Sequence, residues 1–173
     1  SYEMAIEINP DFAEAYNNLG NLLTMDTKLL NQAVKSFEKA VEINPDFAIA
    51  HNNLGNAFKD LNYLDEALKS YERAFDIESS LDNVLGNVLS TKMNSCNWDG
   101  LAELLDDAKK RIVNNEKVID SFNLMALIDD PALQRKVTEL RVSVDHPKSN
   151  ILPKINQYPK HPKIPIFFFF FFF

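Results

Sequence analysis

Apolar residues recur along residues 1–146 at the spacing of three and four that places them on one face of a helix. Residues 82–93 illustrate the pattern, with apolar side chains at Val84, Leu85, Val88 and Leu89. The helical segments are short, and Pro10 and Pro45 follow two of them, where proline cannot continue the preceding helix. The pattern therefore predicts an almost wholly helical region built from antiparallel helix pairs.

The helical segments form a tandem array. Three of them recur almost unchanged 34 or 35 positions later: residues 6–13 as 41–48, residues 15–21 as 50–56, and residues 33–40 as 67–74. A single unit of this kind leaves one apolar face uncovered, so neighbouring units must stack to bury it.

Small residues recur where two helices are expected to cross. Gly20 and Gly55 lie inside predicted helices, where glycine costs roughly 1 kcal/mol relative to alanine. A close approach of helices would offset that cost, and four alanines recur in the same way, at Ala33, Ala40, Ala67 and Ala74. The predicted core includes Leu19, Leu54, Phe58, Tyr71 and Ala74.

The repeated residues resemble the tetratricopeptide repeat, a helix–turn–helix unit of about 34 residues. The best unit begins at Ala48, and the unit before it begins at Ala13 with one extra residue near residues 24–31. Residues 1–10 resemble the end of an earlier unit, and a degenerate unit begins at Asp82. The resemblance implies an all-α fold, a tetratricopeptide-repeat α-solenoid of stacked antiparallel helix pairs followed by a Pro/Lys-rich linker.

Four regions are predicted along the chain: repeats in residues 1–81, a degenerate repeat with connecting helices in 82–146, an extended linker in 147–166, and a poly-Phe tail in 167–173. Within the second region the predicted helices are Asp82–Met93, Trp98–Val113, Val118–Leu127 and Pro131–Val144. The basic residues 109–111 are interpreted as a helix end that meets the negative end of its dipole. The seven terminal phenylalanines are interpreted as an artefact, because such an exposed run would favour aggregation.

A second resemblance lies beyond the repeats. Residues 96–98 (Cys-Asn-Trp), 121–127 and 129–134 (Asp-Asp-Pro-Ala-Leu-Gln) resemble the segment that joins the repeats to the transferase domain in SPINDLY-type and bacterial O-linked N-acetylglucosamine transferases. Residues 163–166 resemble the first residues of the strand that opens the sugar-nucleotide-binding part of those transferases, and the resemblance stops there. It implies a UDP-GlcNAc-dependent parent whose catalytic domain is absent here, so no catalytic residue of that family is transferred to this chain.

Charge disfavours nucleic acid as a partner. The sequence has 173 residues, 46% of them hydrophobic, which is typical of a folded protein. Before Pro147 there are 25 acidic and 14 basic residues, a net charge of −11 that repels phosphate backbones. From Pro147 onward there are four lysines, no acidic residue and five of the eight prolines, which is a linker composition.

The remaining chemistry is sparse. Cys96 is the only cysteine, and no segment resembles a signal peptide or reaches the length of about 20 apolar residues that spans a bilayer, which favours a cytoplasmic protein without membrane contact. His51, His146 and His161 are interpreted as packing or solvent-exposed residues, and the pairs 106–107 and 129–130 as solvated faces or helix caps. We therefore predict no catalytic residue, no metal site and no cofactor for this chain.

Asparagine is the one polar residue repeated at fixed positions. Asn18, Asn53 and Asn87 occupy the sixth position of three first helices, and Asn21 and Asn56 the ninth position of two. Asparagine is a poor helix former, so its recurrence indicates a recurring use. An amide pairs with both groups of a peptide backbone, and in the transferases that this sequence resembles, such a ladder holds extended polypeptide. The alternative is repeat consensus, or hydrogen bonds between repeats.

Three functions are compatible with the array. The preferred one is a module that binds extended polypeptide segments of other proteins and is part of a longer, transferase-like protein. A stand-alone scaffold for complex assembly is the alternative, and the oligomeric state is left open. An adaptor that grips a C-terminal carboxylate is disfavoured, because it needs basic residues at positions that here carry Glu14, Ile49, Asn17, Asn52 and the ladder asparagines.

Overall fold

The computed structural model describes residues 2–116 and 128–145, and within them the regular structure is helical, with no β-strand. The predicted all-α fold is thereby confirmed. The α-helices are α1 (Tyr2–Ile8), α2 (Ala13–Leu23), α3 (Leu30–Ile43), α4 (Ala48–Asp60), α5 (Leu64–Ile77), α6 (Val84–Asn94), α7 (Leu101–Val113) and α8 (Pro131–Asp145). The predicted helix Val118–Leu127, His146, His161, the linker and the poly-Phe tail lie outside the described residues.

Each helix packs against its neighbours in sequence, so α2 with α3 and α4 with α5 form the helix pairs of two successive units. The second helix of one unit, α3, also packs against the first helix of the next, α4, and α5 packs against α6 in the same way. Within the described ranges no helix combines the length and the apolar character that crossing a membrane requires.

The repeated Asn-Pro-Asp-Phe sequence forms the same turn twice. The Asn9 side chain accepts a hydrogen bond from the backbone N–H of Asp11, and the Asn44 side chain accepts one from Asp46, both at 3.2 Å. The helix before each turn ends at Ile8 or Ile43, one residue before the asparagine and two before the proline. The interpretation of Pro10 and Pro45 as helix ends is therefore confirmed.

The extra residue in the second unit is accommodated by a 3₁₀ turn, Thr27–Leu29, between α2 and α3. The Asp26 side chain accepts a hydrogen bond from the backbone N–H of Lys28 at 2.9 Å and so starts this turn. In the following unit, α4 ends at Asp60 and the chain turns at Asn62, whose φ of 62° is left-handed, while the Tyr63 N–H donates to the Phe58 carbonyl at 2.8 Å.

The two helices of a unit approach closely where the first helix carries glycine. A Cβ built at Gly20 would lie 2.5 Å from Cε1 of Phe37, and one built at Gly55 would lie 2.7 Å from the ring of Tyr71. Both rings are fully buried. Any larger residue would have to displace the ring, so the predicted reason for glycine at these positions is confirmed.

The predicted core is confirmed in part. Leu54, Tyr71 and Ala74 are buried, as are the other three alanines of the crossing positions. Leu19 and Phe58 are half-buried, which corrects the prediction for these two residues. Phe58 packs on the outside of two adjacent clusters, one around Phe37 and the other around Tyr71, whereas Leu19 lines an open cleft beside Tyr2.

A third cluster joins α6, α7 and α8 around Leu85, Leu89, Ala108, Ile112 and Val137. Two helix starts in this region differ from the prediction. Helix α6 begins at Val84 because Asn83 is left-handed, and α7 begins at Leu101 because Gly100 has a φ of 66°. Trp98, predicted as the first residue of this helix, therefore lies in the connecting turn and is 62% exposed.

The start of α8 explains several residues of the Asp-Asp-Pro-Ala-Leu-Gln segment. The Asp130 carboxylate accepts hydrogen bonds from the backbone N–H groups of Ala132 (2.9 Å) and Leu133 (3.2 Å), as a helix N-cap does. Pro131 occupies the first helical position, where its missing N–H costs nothing. Gln134 donates to the Ile128 carbonyl at 2.8 Å. The predicted capping role is confirmed for Asp130.

Residues 109–111 lie in the last turns of α7, as predicted. Arg111 also connects separate parts of the chain: its guanidinium donates to the Ser79 carbonyl at 2.7 Å, pairs with Asp107 at 2.8 Å and lies 5.5 Å from the centre of the Phe75 ring. This side chain therefore joins α7 to α5 and to the segment that follows α5.

We expect Gly55→Ala to destabilise the chain although alanine is the better helix former. Overpacking against the buried Tyr71 ring should cost about 1–3 kcal/mol, which exceeds or cancels the roughly 1 kcal/mol gained in helix propensity. Urea unfolding followed by circular dichroism measures the difference. Lys69→Ala, at an exposed position of α5, is the control and should change the free energy of unfolding by less than about 0.5 kcal/mol. A clearly stabilised Gly55→Ala variant would contradict the close approach.

Candidate peptide-binding surface

The three sixth-position asparagines lie on successive first helices, with Asn18 on α2, Asn53 on α4 and Asn87 on α6. Asn18 is exposed, whereas Asn53 and Asn87 are half-buried. The ninth-position residues are also on α2 and α4, where Asn21 is exposed and Asn56 is half-buried. The repeat thus brings the same residue type to equivalent positions with different surroundings.

Asn53 and Asn87 each make a hydrogen bond to the preceding repeat. The Asn53 amide nitrogen donates to Oδ1 of Asn17 at 2.9 Å, and the Asn87 amide nitrogen donates to Oδ1 of Asn52 at 3.0 Å. Asn17 is only 5% exposed, so its carbonyl oxygen lies between the helices rather than in solvent. Hydrogen bonds between repeats, the alternative use of these asparagines, are therefore present.

These bonds leave part of each amide available. A side-chain amide has two N–H donors and a carbonyl oxygen, and each inter-repeat bond occupies one donor. Asn53 and Asn87 thus retain one N–H and the oxygen, and Asn18 makes no side-chain hydrogen bond within the described residues. Peptide binding by these asparagines is not tested by this geometry and stays a prediction.

In one of the two repeats, the ninth-position asparagine makes a hydrogen bond within its own unit. The Tyr71 hydroxyl donates to Oδ1 of Asn56 at 2.7 Å, and burial raises the pKa of Tyr71 above its ordinary value. In the preceding unit the ring is Phe37, which has no hydroxyl, and Asn21 is exposed. Asn56 therefore stabilises the helix pair, whereas Asn21 does not make the equivalent bond.

Asn17 and Asn52 are the residues whose role the sequence analysis missed. The sequence indicates only that they are uncharged at positions where a carboxylate clamp needs cations. The signal that could have found them is the asparagine doublet, because Asn17-Asn18 and Asn52-Asn53 recur as pairs 35 residues apart.

His51 is half-buried, in agreement with its interpretation as a packing or solvent-exposed residue. Its Nε2 lies 3.0 Å from the Pro45 carbonyl, next to the turn that precedes α4. Burial lowers the pKa of His51, which favours the neutral ring. In the part of the chain that the structure describes, no group of three or more His, Cys, Asp or Glu side chains is placed to bind a metal ion.

Charged groups near the first helices are mostly acidic or already paired. Glu14 on α2 and Asp60 at the end of α4 are exposed. Lys92 on α6 is largely buried, and its ammonium group lies 3.2 Å from the Glu72 carboxylate and 3.2 Å from the Asp99 carbonyl. This lysine is therefore engaged within the protein rather than offered to a ligand carboxylate.

Comparisons with known proteins agree with this architecture. Tetratricopeptide-repeat models match residues 1–35 and 48–80, and a TPR-repeat model matches residues 28–62. No curated protein matches the sequence. None of the family matches reaches residues 96–134, so the transferase resemblance of that segment stays a prediction.

Two solved structures share the fold. MamA has a TM-score of 0.56 and 17% sequence identity, with 83% of each chain covered. YrrB, described as a TPR protein with an unusual peptide-binding site, has a TM-score of 0.56 and 18% identity, and the match covers 84% of this chain and 66% of that one. Residues 1–80 are therefore tetratricopeptide repeats, and the described helices form a tetratricopeptide-repeat α-solenoid.

The inter-repeat bonds predict an order of stability among three alanine variants. Asn53→Ala and Asn87→Ala remove a hydrogen bond to the neighbouring helix, whereas Asn18→Ala removes none within the described residues. All three variants gain the same helix propensity. The free energy of unfolding of Asn53→Ala and of Asn87→Ala should therefore be about 0.5–1.5 kcal/mol lower than that of Asn18→Ala. Urea unfolding of the three variants tests this order, and equal stabilities would show that the bonds contribute nothing.

Proposed function

We propose that this chain is a protein-binding module that holds extended polypeptide in a concave groove along its first helices. Asn18, Asn53 and Asn87 are the proposed contacts to the peptide backbone. Asn21 and Asn56 are further proposed peptide-binding residues. The observation that carries the proposal is that Asn53 and Asn87, although bonded to the preceding repeat, each retain a carbonyl oxygen and one N–H. These are the two groups that a backbone N–H and C=O require.

The spacing of the repeats suits an extended ligand. Packed helices lie about 10 Å apart, and an extended chain advances about 3.3 Å per residue. A bound peptide would therefore meet one asparagine roughly every third residue. Because the contacts are to backbone, the module would accept many sequences. The shared fold of YrrB, a TPR protein with a peptide-binding site, supports a polypeptide as the ligand.

The negative charge of the chain would favour some peptides over others. The chain carries a net charge of −11 before Pro147, and Glu14 and Asp60 are exposed at the ends of first helices. Basic or hydroxyl-rich peptides would be favoured over acidic ones, and this preference would weaken as salt screens the charges. Nucleic acid and membranes are not proposed as partners.

The ladder is tested by replacing Asn18, Asn53 and Asn87 together with alanine. Each lost contact should remove about 0.5–1.5 kcal/mol, so peptide affinity should fall on the order of tenfold to a thousandfold. The probe is a fluorescein-labelled peptide of alternating lysine, serine and threonine, with binding measured by anisotropy. Helicity should persist or rise, because alanine is the better helix former.

A matched control distinguishes the ladder from a general loss of asparagine. Asn31, Asn94 and Asn114 are exposed and lie outside the ladder positions. Their triple alanine variant should bind the labelled peptide like the parent chain. Unchanged affinity in the ladder variant, or an equal loss in both variants, would contradict the proposal.

We further propose that the module derives from a protein O-linked N-acetylglucosamine transferase-like parent of the cytoplasm. The support is the sequence of residues 96–98 and 129–134, whose second part starts helix α8 through Asp130 and Pro131. The coding sequence beyond residue 166 decides this: a glycosyltransferase domain there supports the parent, and its absence favours the stand-alone scaffold.

The chain alone should not transfer the sugar, because the residues that would bind the donor are expected outside it. Incubation of the purified chain with radiolabelled UDP-N-acetylglucosamine and the lysine–serine–threonine peptide should leave the peptide unlabelled. Incorporation of label by the chain, above that of a heat-denatured sample, would contradict the absence of catalysis.

A further inference from the structure

We propose that Asn17 and Asn52 are positioning residues that fix the amide orientation of Asn53 and Asn87 for the peptide backbone. This inference rests on the proposed function, because it assigns a role to residues behind the asparagines that would contact the ligand. Its support is the pair of inter-repeat hydrogen bonds, which join a fifth position of one unit to the sixth position of the next.

The direction of each bond selects one of the two amide orientations. The terminal torsion of an asparagine is broad and roughly two-fold, so a free amide exchanges its oxygen and nitrogen by rotation. At Asn53 the nitrogen faces Oδ1 of Asn17, and at Asn87 the nitrogen faces Oδ1 of Asn52. The reversed orientation would place two carbonyl oxygens against each other and lose the bond.

Burial makes the selection effective at Asn17. This side chain is 5% exposed, so water cannot readily replace the bond that its carbonyl oxygen accepts. Asn53 is thereby held with its own oxygen and second N–H directed away from Asn17. A ligand that uses these groups finds them already ordered, and less side-chain entropy is lost on binding.

The series of paired positions is limited to two bonds within the described residues. Asn53 and Asn87 each have a fifth-position asparagine in the preceding unit, whereas the fifth position of the fourth unit is Gly86. Asn18 is exposed and makes no such bond within the described helices.

Two substitutions at each positioning residue separate hydrogen bonding from packing. Asn17→Leu and Asn52→Leu keep the branched shape at a larger volume and lose the acceptor, whereas Asn17→Asp and Asn52→Asp keep an acceptor oxygen and lose the donor. The labelled lysine–serine–threonine peptide is titrated with the chain at low and high salt, so that the added carboxylate charge is separated from the hydrogen bond. Asn53→Ala is measured beside them.

The leucine variants should bind the peptide about two- to tenfold more weakly than the parent chain. At high salt the aspartate variants should bind it with the affinity of the parent chain. Combining Asn17→Leu with Asn53→Ala should add no further loss, because Asn17 acts through Asn53. Leucine variants with parental affinity, or aspartate variants as weak as leucine at high salt, would overturn the positioning role. If Asn53→Ala itself binds like the parent, the proposed function fails, and the inference fails with it.

Discussion

The contact between a glycine of the first helix and an aromatic ring of the second fixes the geometry on which the rest of the array depends. At Gly20 and Gly55 the missing Cβ lets Phe37 and Tyr71 pack directly on the helix, in the space that a Cβ would fill. The contact recurs in two successive units, where it holds α2 against α3 and α4 against α5. The two asparagine bonds between repeats, at 2.9 and 3.0 Å, join successive first helices, α4 to α2 and α6 to α4.

Polar side chains contribute to the stability of the array, and in the proposed function some of them also contact the ligand. An asparagine inside a helix lowers helix propensity, and the bonds of Asn53 and Asn87 to the preceding repeat offset that cost. Each bond uses only one donor, so the same side chain still has groups for a ligand. Asn56 shows the other outcome, since its oxygen accepts from the buried Tyr71 hydroxyl and its contribution is to its own unit.

Features that depend on local sequence were predictable. The turns at Pro10 and Pro45, the cap at Asp130 and the glycines facing aromatic rings follow from residue chemistry that repeats or acts over a few positions. Features that depend on the stacking of distant segments were not. The partner of Asn53 lies 36 residues away, and the sequence shows the Asn17-Asn18 doublet without showing which atoms meet. Trp98 was misplaced because the left-handed Gly100 delays the start of α7.

In the proposed function, Asn53 and Asn87 bond to the neighbouring repeat and to a peptide at the same time. Side-chain amide signals in ¹H–¹⁵N NMR spectra test it directly, because the two protons of one asparagine report separately. On addition of the lysine–serine–threonine peptide, one amide proton of each residue should shift while the other, bonded to Asn17 or Asn52, stays in place. If saturating peptide shifts neither pair of protons and changes only signals from the second helices α3 and α5, Asn53 and Asn87 do not contact the peptide.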